Sequence, residues 1–208
     1  MNRLMMIISL VVLALPTIAI SMGLPDLSQC WAEAENCGRF TIAPGGGENL
    51  VNDSHDYKIH VWCLDINGNA ISLPATDITL YHPDLSFCPG QSSQADTCTN
   101  SEGYTSISGT ISGALEGDGT SGLNCEEILL YVMVYDIIIN DGEPVCVAVD
   151  SPDLNGDLEV SLADFAKFSF SYQEAHEYDP CHDYSEDGMN SVADLAVFAF
   201  YYRQVECD

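Results

Sequence analysis

The sequence predicts a mainly β protein that ends in a small α module, and three observations carry this reading. Between residues 39 and 149, short segments of alternating side-chain type are separated by clusters of Asn, Asp and Gly, the pattern of strands joined by tight turns. From residue 153 onward the chain repeats itself at an offset of 30 residues, each copy joining an acidic loop to an aromatic run of helical period. Hydrophobic residues make up 47% of the 208 residues, enough for a packed core despite a formal net charge of -27.

That charge comes from 32 acidic residues against 5 Lys plus Arg. It excludes nucleic acid and anionic membrane surfaces as partners, because both are bound through clustered cations. The 9 cysteines include no Cys-x-x-Cys pair. Disulfides in an oxidising compartment are therefore expected in place of zinc or iron-sulfur ligation. The N-terminus agrees: Arg3 supplies a positive start, residues 4–20 an uncharged apolar run, and Ser21 and Gly23 a small-residue exit. This is the pattern of a secretory signal peptide over 1–23. Pro16 and the shortness of the run argue against a membrane span, so the mature chain is expected without one, secreted to the extracellular space or cell surface.

Within 24–150 the strands are read in order. Residues 57–64 alternate two sets of side chains, and 65–69 (Asp-Ile-Asn-Gly-Asn) turn the chain into a hairpin. Residues 78–81 and 104–111 supply further strands, rich in β-branched and aromatic types. The run 128–139 reads as one long strand, its segment 128–135 apolar enough for a central strand buried on both faces. Residues 140–143 then turn the chain into 145–149. Two packed antiparallel sheets, an immunoglobulin-like β-sandwich, account most simply for this spacing. The punctuation at 64–71 and 99–104 resembles that of bacterial immunoglobulin-like modules in adhesins and surface proteins.

In the duplicated region, oxygen-bearing side chains fall at loop positions 1, 3, 5, 9 and 12: Asp153, Asn155, Asp157, Ser161 and Asp164, then Asp183, Ser185, Asp187, Ser191 and Asp194. This spacing wraps a loop around a hard cation, with position 7 contributing the backbone carbonyls of Glu159 and Met189. So many protein oxygens suit calcium better than magnesium, and two ions are expected. Leu158 stands at position 6, where glycine relieves a sharp turn, and Ser185 replaces a carbonyl or carboxylate ligand at position 3. The first site is therefore expected to be the weaker, and the second to need an extra water.

Pro152 directly precedes the first loop and Pro180 lies just before the second, so neither loop has an entering helix. Position 12 is Asp in both copies, not the longer Glu of an EF-hand. Paired loop-helix half-hands ending in Asp resemble the dockerin family, whose modules bind cohesin domains in calcium-dependent extracellular assemblies. The resemblance covers residues 151–203 of a module spanning 151–208. It implies partner contacts through Leu162, Ala163 and Phe170 in one copy and Val192, Ala193 and Phe200 in the other. The alternative for these residues is packing against the sandwich. The helical period places Phe165, Phe168 and Tyr172, and in the second copy Leu195, Phe198 and Tyr202, on the core faces.

Cys181 and Cys207 bracket the second loop-helix unit and are expected to be joined; proximity suggests Cys88 with Cys98 and Cys30 with Cys37, and Cys63 reads as a buried free thiol. No nucleophile-base pair, phosphate loop or metalloprotease motif occurs, and the five histidines are scattered as surface residues are. The expected protein is non-catalytic and secreted, and mediates calcium-dependent extracellular assembly. Its module would dock to a cohesin-like receptor while the sandwich acts as an adhesive or carbohydrate-binding domain. The alternative is a subunit that polymerises with further copies of itself into a fibre or surface layer.

Overall fold

Strand β1 (Cys30–Ala34) lies antiparallel to β3 (Ile59–Cys63), which in turn pairs with β6 (Tyr104–Ile107), so β3 is the centre of a three-stranded sheet. The computed structural model describes residues 24–88, 93–115, 128–172 and 178–203, and the expected signal peptide lies outside them. Period-two alternation sets the two faces of this sheet. Cys30, Ala32, Ile59, Val61, Cys63 and Ile107 point into the core, whereas Trp31, Glu33, His60, Trp62 and Tyr104 point outward. On the outer face Trp31 and Trp62 stack across the ladder with ring centroids 5.3 Å apart.

The remaining strands form smaller sheets: β2 (Gly38–Thr41) parallel to β10 (Val147–Asp150), β4 (Ile78–Tyr81) with β8 (Tyr131–Val134) and β9 (Ile137–Ile138), and β5 (Leu85–Phe87) with β7 (Gly113–Leu115). The described chain is thus mainly β, as the sequence predicts, but its strands fall into four sheets instead of two, one of them parallel. Short strands are the reason. The run 128–139 does not form one strand, because Tyr135 and Asp136 take the left-handed conformation (φ 51 and 60) and fold it into the β8–β9 hairpin. Strand β8 is central, yet its burial alternates, so it is not buried on both faces. The 65–69 turn closes with a single bridge, Leu64 to Ala70, and no paired strand follows it.

The parallel β2–β10 pair is fastened by the Cys37–Cys146 disulfide, which joins the residues immediately before the two strands. This bond displaces the expected Cys30–Cys37 pair and leaves Cys30 as a buried free thiol; Cys98 is likewise free, so it does not pair with Cys88. Sequence proximity misled here because cross-links follow distances in space, and β2 meets β10 only after folding. Cys63 is a buried free thiol as expected. Cys181 is disulfide-bonded, while Cys207 lies outside the described residues.

Helix α1 (Leu162–Ser171) and helix α2 (Val192–Tyr201) follow their loops directly. Each starts with a capping box: Ser161 with Asp164, and Ser191 with Asp194. The first turn of each helix is thereby tied to the loop before it. Phe168 and Phe198 meet as stacked rings 5.4 Å apart in a second buried cluster with Leu154, Val160, Tyr184 and Tyr201. Ala43, which follows β2, belongs to the same cluster, so the helical module rests on the β region. Arg39 of β2 also reaches across, donating to the Pro180 carbonyl at 3.0 Å and lying 3.8 Å from Glu186. No helix among the described residues is long and apolar enough to cross a membrane.

Candidate metal centre

Each loop folds back on its first aspartate. In the first, the Asp153 carboxylate accepts backbone N–H groups from Gly156 (2.8 Å), Asp157 (3.3 Å) and Leu158 (2.8 Å). In the second, Asp183 accepts from Asp187 (3.1 Å) and Gly188 (2.8 Å), and also from the Tyr178 hydroxyl, which donates at 2.7 Å. Asp164 and Asp194 close the loops from the helix side. Asp164 accepts from Asn155 and Ser161, and Asp194 from Ser185 and Ser191, at matching positions.

These bonds converge three carboxylates in each loop. One ligand oxygen from each of Asp153, Asp157 and Asp164 lies within 4.8 Å of the others, and the same holds for Asp183, Asp187 and Asp194. In both clusters the outer two are buried and the middle one is exposed. Unit charges this close repel by about 3 kcal/mol at an effective dielectric of 20. Burial first, and then Asp164, push the Asp153 carboxyl up to about 6, against the backbone N–H bonds that favour its charge. A divalent cation among these oxygens would remove both penalties, so the donor set fits a hard ion.

The other expected donors are less uniformly placed. Asn155 folds onto Asp157, its Oδ1 accepting from the Asp157 backbone at 2.8 Å. The hydroxyls of Ser161 and Ser191 are engaged as helix caps, accepting from Ala163 and Ala193. Ser185 Oγ lies 3.5 Å from Asp183, and Glu159 and Met189 are exposed, leaving their carbonyls as the candidate donors.

Position 6 is occupied in the left-handed conformation in both loops, by Leu158 (φ 67) and by Gly188 (φ 82). Position 4 is left-handed as well, at Gly156 (φ 70) and Glu186 (φ 57). Each loop therefore carries one glycine and one strained side chain, with the two slots exchanged. The asymmetry argued from Leu158 alone is offset by Glu186, which composition and spacing did not single out.

The six residues expected to face a partner are all exposed. Leu162, Phe170, Val192 and Phe200 keep 70%, 62%, 68% and 73% of their surface, so they do not pack against the β region. Between the helices an apolar groove of about 270 Å³ is lined by Leu162, Phe165, Leu195, Phe198, Ala199 and Tyr202. Phe165 and Tyr172, expected in the core, are 39% and 38% exposed, while Phe168 and Phe198 are buried as expected, Leu195 and Tyr202 are partly buried against the same cluster, and Tyr201 joins it. His82 and His182 are buried, not on the surface.

No protein-family model, curated protein or solved structure matches this chain.

Proposed function

We propose that this chain is a secreted, non-catalytic protein that binds two calcium ions in its paired loops and docks to a protein partner through the exposed apolar surface of α1 and α2. The observation that carries the reading is the duplicated convergence of buried carboxylates, Asp153 with Asp164 and Asp183 with Asp194, at the foot of two helices that leave their apolar residues in solvent. Asp153, Asp157 and Asp164 would hold one ion and Asp183, Asp187 and Asp194 the other, with Asn155, Ser185 and the carbonyls of Glu159 and Met189 completing the shells and Ser161 and Ser191 acting through water. The ions would supply charge neutralisation. The chain's own part is to fix the first turn of each helix through the capping boxes, so that Leu162, Ala163, Val192 and Ala193 stand in a set orientation.

An apolar surface held this way suits a dockerin-like partnership with a cohesin-like receptor, while the β region, as an immunoglobulin-like module, would be the part displayed, with carbohydrate as a candidate ligand. The Cys37–Cys146 disulfide supports an oxidising, extracellular setting.

Calorimetric titration of calcium into chelator-treated protein tests this, with circular dichroism recording the helices. Two binding events are expected, with a stabilisation of about 2.7 kcal/mol for each ion at free calcium one hundred times its Kd. Asp153→Asn with Asp183→Asn should abolish both effects. Absence of binding, or melting unchanged by chelator, refutes the metal assignment. Leu162→Asp with Phe200→Asp should spare calcium binding and end capture of a cohesin-like receptor. Calcium-dependent filaments formed by the protein alone would instead support self-assembly.

A further inference from the structure

Cys30 and Cys63 are directly opposite each other in the β1–β3 ladder, and both are buried free thiols. Their position in that ladder follows from the hydrogen bonds around it. Glu35 N donates to Lys58 O at 2.8 Å, which makes the next pair outward, Glu35 with Lys58, a hydrogen-bonded one. Alternation then leaves Cys30 with Cys63 at a non-hydrogen-bonded position. An independent observation agrees: Cys63 N donates to Gly103 O and Cys63 O accepts from Ile71 N, so both backbone groups of Cys63 point away from β1. At such positions the Cα atoms stand ~4.5 Å apart with side chains on the same face. That separation is within the ~4.4–6.8 Å that a disulfide spans.

We propose that Cys30 and Cys63 are an oxidisable dithiol that closes into a cross-strand disulfide by exchange with a low-molecular-weight disulfide. The Cys30 thiolate attacks one sulfur of the reagent, forms a mixed disulfide and expels the first reagent thiolate. The Cys63 sulfur then attacks the Cys30 sulfur and expels the second. The two cysteines together lose two electrons and two protons, and the reagent disulfide gains them as two thiols. Cys30 is the attacking group for two reasons. It lies at the end of the edge strand, next to a short turn (Leu27–Gln29) with no buried residue, where opening is local. The neighbouring Cys63 side chain also lowers the Cys30 thiol against the opposing effect of burial, while Cys30 and burial hold Cys63 well above the ordinary thiol range. Cys63, in the central strand, is the resolving partner. Cys98, exposed and unpaired across any strand, stays outside this chemistry.

Differential alkylation of the full chain with a Cys98→Ser background tests the proposal. After equilibration with oxidised glutathione, the protein is unfolded in denaturant with a first alkylating label, then reduced and given a second. Cys30 and Cys63 should both carry the second label, and a non-reducing digest should contain their two peptides joined. In Cys63→Ser, exchange should stop at the first step, leaving glutathione on Cys30. In Cys30→Ser, Cys63 should remain unmodified in the folded protein. The proposal is overturned if Cys30 and Cys63 keep the first label, if Cys30 is joined to any other cysteine, or if Cys63 becomes modified as fast without Cys30 as with it. Should Cys63→Ser not fold, Cys63→Val keeps the same readout at Cys30.

Discussion

Replacing Gly188 by alanine isolates the conformational demand of the second loop. Gly188 stands at φ +82, and a Cβ built there would have nothing within 4 Å, so the substitution adds no clash and tests the backbone alone. Placing an L-residue in the left-handed region costs roughly 1–2 kcal/mol. Reduced freedom of the unfolded chain returns about 0.4–1 kcal/mol. The balance is a loss of about 1 kcal/mol. Gly109 supplies the control, because a Cβ there also meets open space but its backbone lies outside the left-handed region. Gly109→Ala should therefore be neutral or stabilising by a few tenths of a kcal/mol. Urea unfolding in excess chelator, followed by helical circular dichroism, removes any contribution from bound ions. With a slope near 2 kcal/mol/M, the midpoint of Gly188→Ala should fall by about 0.5 M and that of Gly109→Ala should not fall. A Gly188→Ala midpoint at or above the unmodified protein, or equal shifts in both variants, would refute the claim that position 6 requires a left-handed backbone.

Two further predictions concern packing and pH. Phe198→Ala should cost about 3–5 kcal/mol because the ring is buried against Phe168, whereas Phe200→Ala, on the exposed face, should stay within about 0.5 kcal/mol; equal losses by thermal unfolding would contradict the assignment of faces. Asp150, at the end of β10, is raised from 3.8 to about 8, by burial first, with Thr41 and Arg39 opposing. The native state then keeps a proton that the unfolded chain has already lost, so stability should fall as pH rises between 3.8 and about 8. The slope contributed is at most about 1.4 kcal/mol per pH unit. Asp150→Asn should flatten this dependence in urea titrations at several pH values, and retention of the full slope would show that another group is responsible.

How much was legible in the sequence differed between the two halves for a physical reason. In the duplicated region, ligand spacing, caps and helix starts are all set within a dozen residues, so a linear reading reached the carboxylate clusters and the exposed residues of α1 and α2. What it could not reach was the backbone conformation at Glu186, since a left-handed residue other than glycine leaves no compositional mark. The burial of Tyr201 was likewise out of its reach, because the cluster it joins gathers residues far apart in the chain, Ala43 among them.

In the β region the alternation of residues 57–64 and the β-branched and aromatic types of 78–81 sufficed to place β3 and β4. It did not place β1, β2, β5 or β7, whose signals are too short to stand above their surroundings. By itself, then, the sequence determined the elements whose stabilising contacts are local: acidic loops folding onto their own N–H groups, serine caps, and strands with clear period-two patterns. Only the tertiary structure decided which strands meet, that Cys37 bonds Cys146 across 109 residues, and that Cys30 faces Cys63. Those pairings depend on long-range chain closure, whose entropy is spread over the whole β region and leaves no trace in any one segment.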